Sequence, residues 1–146
     1  MYDANDYLAG KPIINHDDPN DIRTYLGNLE AGLELLQSTY PHIRIIVMSP
    51  TYAYAIDEEG DYADSELHSY YTDNEAMHLS HYSILVGDIT TAHGISYVDN
   101  LYGTVNALNA DTYLLDHINL NVQGREKLAS RFVYALEYYD SLKDKE

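Results

Sequence analysis

The chain contains no cysteine and no tryptophan, a single phenylalanine, and only 8 basic residues against 24 acidic ones. Without cysteine there are no disulfides, no thiolate metal ligands and no cysteine nucleophile, although a disulfide-free chain belongs to no particular compartment. The scarcity of bases leaves a formal charge of −16 over 146 residues. So negative a surface repels phosphate backbones and anionic lipid, which makes direct nucleic-acid binding and membrane-surface attachment poor expectations. No apolar run approaches the roughly 20 residues of a membrane span. Met1 leads into Tyr2-Asp3-Ala4-Asn5-Asp6 rather than the basic and then apolar start of a signal peptide. As written, the sequence predicts a cytoplasmic protein with no cofactor and a basic protein partner. An extracellular setting fits if the chain belongs to a longer exported protein.

What is present is a 45% hydrophobic content, enough for a modest core in one domain over residues 1–146, and 16 tyrosines. The charge is unevenly spread. Met1 to Arg44 holds 7 acids and 3 bases, Ile45 to Gly124 holds 12 acids and no base, and Arg125 to Glu146 holds 5 of each. The densest stretch carries Asp57, Glu58, Glu59, Asp61, Asp64 and Glu66 without apolar periodicity, so it is expected to be an exposed loop. One reading is a solvated loop and nothing more. The other is a partner surface in which these carboxylates are interleaved with Tyr62, Tyr70 and Tyr71, since tyrosine supplies large, stiff contact area. Calcium binding is weaker, because the ligand spacing of the helix-loop-helix calcium site is absent.

Along the chain, Asn20 and Asp21 are placed to cap a helix carrying Ile22, Tyr25, Leu26, Leu29, Leu33 and Leu36 and ending near Gln37. Tyr40-Pro41 stops it, and Ile43 to Ser49 follows as an almost wholly apolar, β-branched run, the pattern of a buried parallel strand. A second helix, capped around Thr72 or Asp73, carries Ala76, Leu79, Tyr82, Val86 and Ile89 and ends at Gly94. Ile95 to Val98 is a second strand with Asp99 at its end, and Asn121 caps a last helix reaching about Leu142. This alternation predicts an α/β layered domain with a short parallel sheet flanked by helices. His78 and His81 could share a helix face, but no third ligand stands in register, so no metal site is expected.

Two segments resemble a known family. Tyr2-Asp3-Ala4-Asn5-Asp6 resembles the Gly-x-Asn-Asp block of the SGNH (GDSL-type) esterases and acylhydrolases. Leu115 to Gly124, with Asp116, His117 and Asn119, resembles that family's closing Asp-x-x-His block before the last helix. The resemblance spans nearly the whole chain but only the second half of the family's usual length. It implies a truncated flavodoxin-like three-layer fold lacking the strands that bear the nucleophile. Asn5 then matches a side-chain oxyanion donor and Asp116 the triad acid, while Asp3 replaces a glycine and Asn119 replaces the triad histidine. An amide cannot take a proton from serine at neutral pH, and His117, two positions early, is expected to project elsewhere. Asn5, Asp116 and Asn119 are therefore vestigial positions, and no residue is assigned as catalytic.

A sheet reduced to two strands leaves Ile43 to Ser49 as an apolar edge, which predicts a homodimer or an obligate partner covering it. Two functions follow from the resemblance. One is a non-catalytic acidic binding protein, such as an inhibitor presenting carboxylates where a target expects phosphates, as DNA-mimic and anti-CRISPR proteins do. The other is the C-terminal fragment of a serine esterase or acylhydrolase.

Overall fold

Two short parallel strands and the helices packed against them organise the protein in a computed structural model that describes residues 11–54, 79–101, 103–106 and 108–143. The first helix, α1 (Tyr25–Thr39), is capped by Thr24 rather than by Asn20 or Asp21, with the Gly27 amide donating to the Thr24 hydroxyl at 3.1 Å. The Asp21 carboxylate is occupied elsewhere. It accepts from Arg23 Nε at 2.8 Å, Arg23 Nη2 at 2.7 Å and Asn15 at 3.0 Å. Those bonds, Arg23 first, hold its carboxyl well below the usual carboxylate range. Ile22 consequently precedes the helix and is exposed.

Strand β1 (Ile46–Met48) is shorter than the expected run from Ile43 to Ser49, and it is half-buried rather than covered on both faces. Ile43, next to the Tyr40-Pro41-His42 turn, is half exposed. Helix α2 (Leu79–Ala92) buries Leu79, Tyr82, Ser83, Val86 and Thr90, a helical stripe turned to the core. It ends at Gly94, whose φ of 65° is the left-handed conformation glycine adopts without a Cβ penalty. The expected cap at Thr72 or Asp73 lies outside the described residues. Strand β2 (Ser96–Val98) pairs parallel with β1 in the register Ile46 to Ser96, Val47 to Tyr97 and Met48 to Val98. Parallel strands need a crossover, and α2 lies on it.

A short helix, α3 (Ala110–Tyr113), had no sequence signal. The last helix, α4 (Val122–Lys143), starts as expected, with Asn121 Oδ1 accepting from the Gly124 amide at 3.0 Å. The core gathers Tyr25 and Leu26 of α1, Tyr82 and Val86 of α2, and Leu101 and Val105 after β2. Ile13, Tyr52 and Ala53 join it from irregular segments.

The two edges of the sheet differ. On the outer edge of β2, Tyr139 of α4 donates its hydroxyl to the Tyr97 carbonyl at 3.2 Å, and Arg131 Nη2 donates to the Asp99 carbonyl. Side chains of a helix thus occupy the acceptors an added strand would use. No strand pairs with the outer edge of β1 among the described residues. No helix among them is long and apolar enough to cross a membrane.

Candidate functional site

The closing segment forms a tight loop. Leu114 and Leu120 make an isolated antiparallel bridge, and within it the Leu115 amide donates to the Asn119 carbonyl at 2.7 Å. Asp116 organises the interior of that loop. Its Oδ1 accepts from the amides of Ile118 at 2.8 Å and Asn119 at 2.7 Å, and its Oδ2 accepts from Asn119 Nδ2 at 2.9 Å. The spacing of three places residue 119 on the carboxylate with its side chain, and Asn119 uses its amide there as a donor. His117 makes its contacts with Tyr54. Its carbonyl accepts from the Tyr54 amide at 2.9 Å, and its ring lies 6.0 Å from that of Tyr54.

These bonds favour the charged form of Asp116 and lower its carboxyl from the usual 3.8 to about 2, the Asn119 side chain contributing most, then the amides of Asn119 and Ile118. Because the folded value is depressed, the turn's contribution to stability is complete above the ordinary carboxylate range and is lost as pH falls through about 2. Asn119→Ala is expected to move the Asp116 midpoint up toward 3.8, read by carboxyl carbon NMR titration. An unchanged midpoint contradicts this account of the turn.

A second polar cluster, not singled out from the sequence, sits where β1 and β2 end. Asp99 Oδ1 accepts from Ser83 Oγ at 3.0 Å, Ser49 Oγ at 3.3 Å and the Leu101 amide at 3.0 Å. The Asn100 amide donates to Ser49 Oγ at 2.7 Å, and Asn100 Nδ2 donates to the Ser49 carbonyl at 3.0 Å. The Tyr97 hydroxyl lies 2.7 Å from Ser83 Oγ, and burial raises its pKa above the usual phenol value. The C-terminal ends of parallel strands are where α/β proteins place ligands, and that position was the available signal. Ser49 and Ser83 are both buried, however, and among the described residues no imidazole is hydrogen-bonded to either. The carboxylate and the two hydroxyls tie the strand ends to α2.

Asp116 and Asn119 are brought together. Asn5 and the proposed partner surface, Asp57, Glu58, Glu59, Asp61, Tyr62, Asp64, Glu66, Tyr70 and Tyr71, lie outside the described residues, as does His78. Among the described residues no group of three or more acidic or histidine side chains could hold a metal ion.

No protein-family model matches the chain, and no curated protein matches it significantly. Solved structures do. A crystal structure of a Lactobacillus plantarum protein from the Northeast Structural Genomics consortium superposes with a TM-score of 0.74 at 20% identity, over 92% of this chain and 62% of its own. Another crystal structure gives 0.69 at 15% identity, over 92% of this chain and 60% of its own. The likeness is one of fold, a small α/β arrangement, and the chain spans about three fifths of each neighbour.

Proposed function

We propose that the chain is a catalytically silent domain derived from the SGNH hydrolases, with their flavodoxin-like topology in truncated form, that works by binding a protein with a basic surface. The observation that carries this reading is the Asp116 to Asn119 pair. It has the spacing and side-chain contact of a triad acid with its base, yet the base position holds an amide that donates to Asp116 and has no proton-accepting nitrogen. Binding surfaces support the other half of the reading. The outer edge of β1 is open among the described residues, and α4 exposes Val133, Tyr134 and Tyr138, apolar and aromatic side chains of the kind that make contacts. A homodimer or obligate partner covers the Ile43 to Ser49 edge, and the acidic segment from Asp57 to Glu66, with Tyr70 and Tyr71, faces the basic partner. An inhibitor that offers carboxylates in place of nucleic-acid phosphates is the concrete form.

A second reading, the C-terminal part of a serine esterase, is favoured by one observation. The neighbours of like fold are longer, and this chain covers only 62% and 60% of them.

The binding reading is tested by capturing purified nucleic-acid-binding enzymes on the immobilised chain across a salt series. Retention is expected at low salt and loss at high salt, because the screening length shrinks from about 10 Å at 0.1 M to about 3 Å at 1 M. Carboxamide substitution of Asp57, Glu58, Glu59 and Asp61 is expected to abolish the retention. Retention indifferent to salt and to those changes contradicts a carboxylate-driven contact.

A further inference from the structure

A groove of about 470 Å³ runs between the end of β2 and α4. Its helical wall is a single stripe, Lys127, Arg131, Tyr134 and Tyr138, at the spacing that puts side chains on one face. Its other wall holds Tyr97 and Gly103. The charge of this groove is anomalous. In a chain with 24 acids and 8 bases, neither Lys127 nor Arg131 is ion-paired with a carboxylate among the described residues. Lys127 Nζ instead lies 4.5 Å from the centre of the Tyr113 ring, a cation held over a π face. The one carboxylate lining the groove, Asp99, has its Oδ1 committed to Ser49, Ser83 and the Leu101 amide.

Arg131 is held in place by backbone. Its Nη2 donates to the Asp99 carbonyl, and its guanidinium packs against Gly103, where a Cβ would displace it. Its Nε is buried and has no hydrogen-bond partner among the described residues. A guanidinium tied to the Asp99 carbonyl, a second cation on the adjacent turn and two phenol rings beyond them form a complementary set. The cations suit a carboxylate, for which the planar fork of arginine is shaped, and the rings suit a flat apolar body. The volume lies in the range of small-molecule sites, about 300–1,000 Å³.

We infer that this groove binds a small aromatic carboxylic acid, its carboxylate between Lys127 and Arg131 and its ring against Tyr134 and Tyr138. This site is separate from the loop of Asp116 and Asn119, and it stands or falls independently of the function proposed above.

The test is an amide NMR titration of the full chain with 2-naphthoate, alongside 2-naphthalenemethanol, acetate and inorganic phosphate. Naphthoate is expected to bind with a Kd of about 1 mM or tighter, ordinary for a molecule of its size. The shifts should centre on Gly103, Arg131, Tyr134 and Tyr138. The neutral alcohol is expected to bind about tenfold more weakly, the loss of a charge-assisted bond, and acetate and phosphate are expected to leave the Tyr134 and Tyr138 amides unmoved. Lys127→Gln and Tyr134→Ala change side chains at the groove's rim, with Tyr134 71% exposed. Each is expected to weaken naphthoate without altering the circular dichroism spectrum. Absence of binding, equal binding of the alcohol, shifts centred elsewhere, or indifference to both variants overturns the inference.

Discussion

Tyr82→Ala is expected to cost about 3–5 kcal/mol, the range for removing a large aromatic side chain from a packed core. Tyr82 is fully buried on α2, its ring lies 4.9 Å from that of Tyr25 at a steep angle, and its hydroxyl donates to the Lys11 carbonyl at 3.0 Å. One side chain therefore joins α2 to α1 and to the segment that precedes α1. Its removal leaves a cavity that rigid neighbours fill only in part, and the Lys11 carbonyl loses a donor. Domains of this size are stable by about 5–15 kcal/mol, so the loss is a large fraction of the total. Tyr82→Phe retains the ring and gives up the hydroxyl's bond to the Lys11 carbonyl, at about 1 kcal/mol. Urea unfolding of the two variants separates ring from hydroxyl. A change below about 1 kcal/mol for the alanine variant would show that α2 is not anchored here.

How much of this was legible in the sequence depended on range. The α2 stripe and its stop at Gly94, the cap at Asn121 and the Asp116 to Asn119 spacing were all readable, because each is decided by residues within a turn or two of one another. The start of α1 was misplaced for a local reason that propensity does not reveal. Asp21 is a good cap by type, but Arg23 and Asn15 engage its carboxylate first, and Thr24 takes the role. The apolar run suggested a strand over Ile43 to Ser49, but pairing with β2 covers only Ile46 to Met48, and Ile43 stands exposed beside the turn that follows α1. The one-sided pairing itself, among the described residues, was expected.

The polar cluster at the strand ends was not legible because its members are distant in sequence. Ser49 and Asp99 stand 50 positions apart, and Ser83 and Asp99 stand 16 apart. The contact of Arg131 with Gly103 was hidden in the same way, since nothing near either residue announces the other. Ile13, Tyr52 and Ala53 lie in irregular segments without periodicity, and only the packing of α1 and α2 around them makes them core.

If the chain is the catalytically silent domain proposed above, an absence of hydrolysis is the expected result with the largest magnitude, since enzymes accelerate their reactions by a factor of about 10⁶ or more. Residue 119 presents an amide to Asp116, and no described serine is hydrogen-bonded to a histidine. Ser38, Ser130 and Ser141 donate to carbonyls of their own helices, and Ser49 and Ser83 are buried. Asn119→His alone is not expected to create activity, because no described serine lies in contact with this loop to receive the base's help. The most direct measurement is p-nitrophenyl acetate hydrolysis by the purified chain, run beside labelling with a fluorophosphonate probe of activated serines. The account expects turnover no faster than a heat-denatured control and no labelled serine. Turnover that a single serine-to-alanine change abolishes, with the same serine carrying the label, would contradict it.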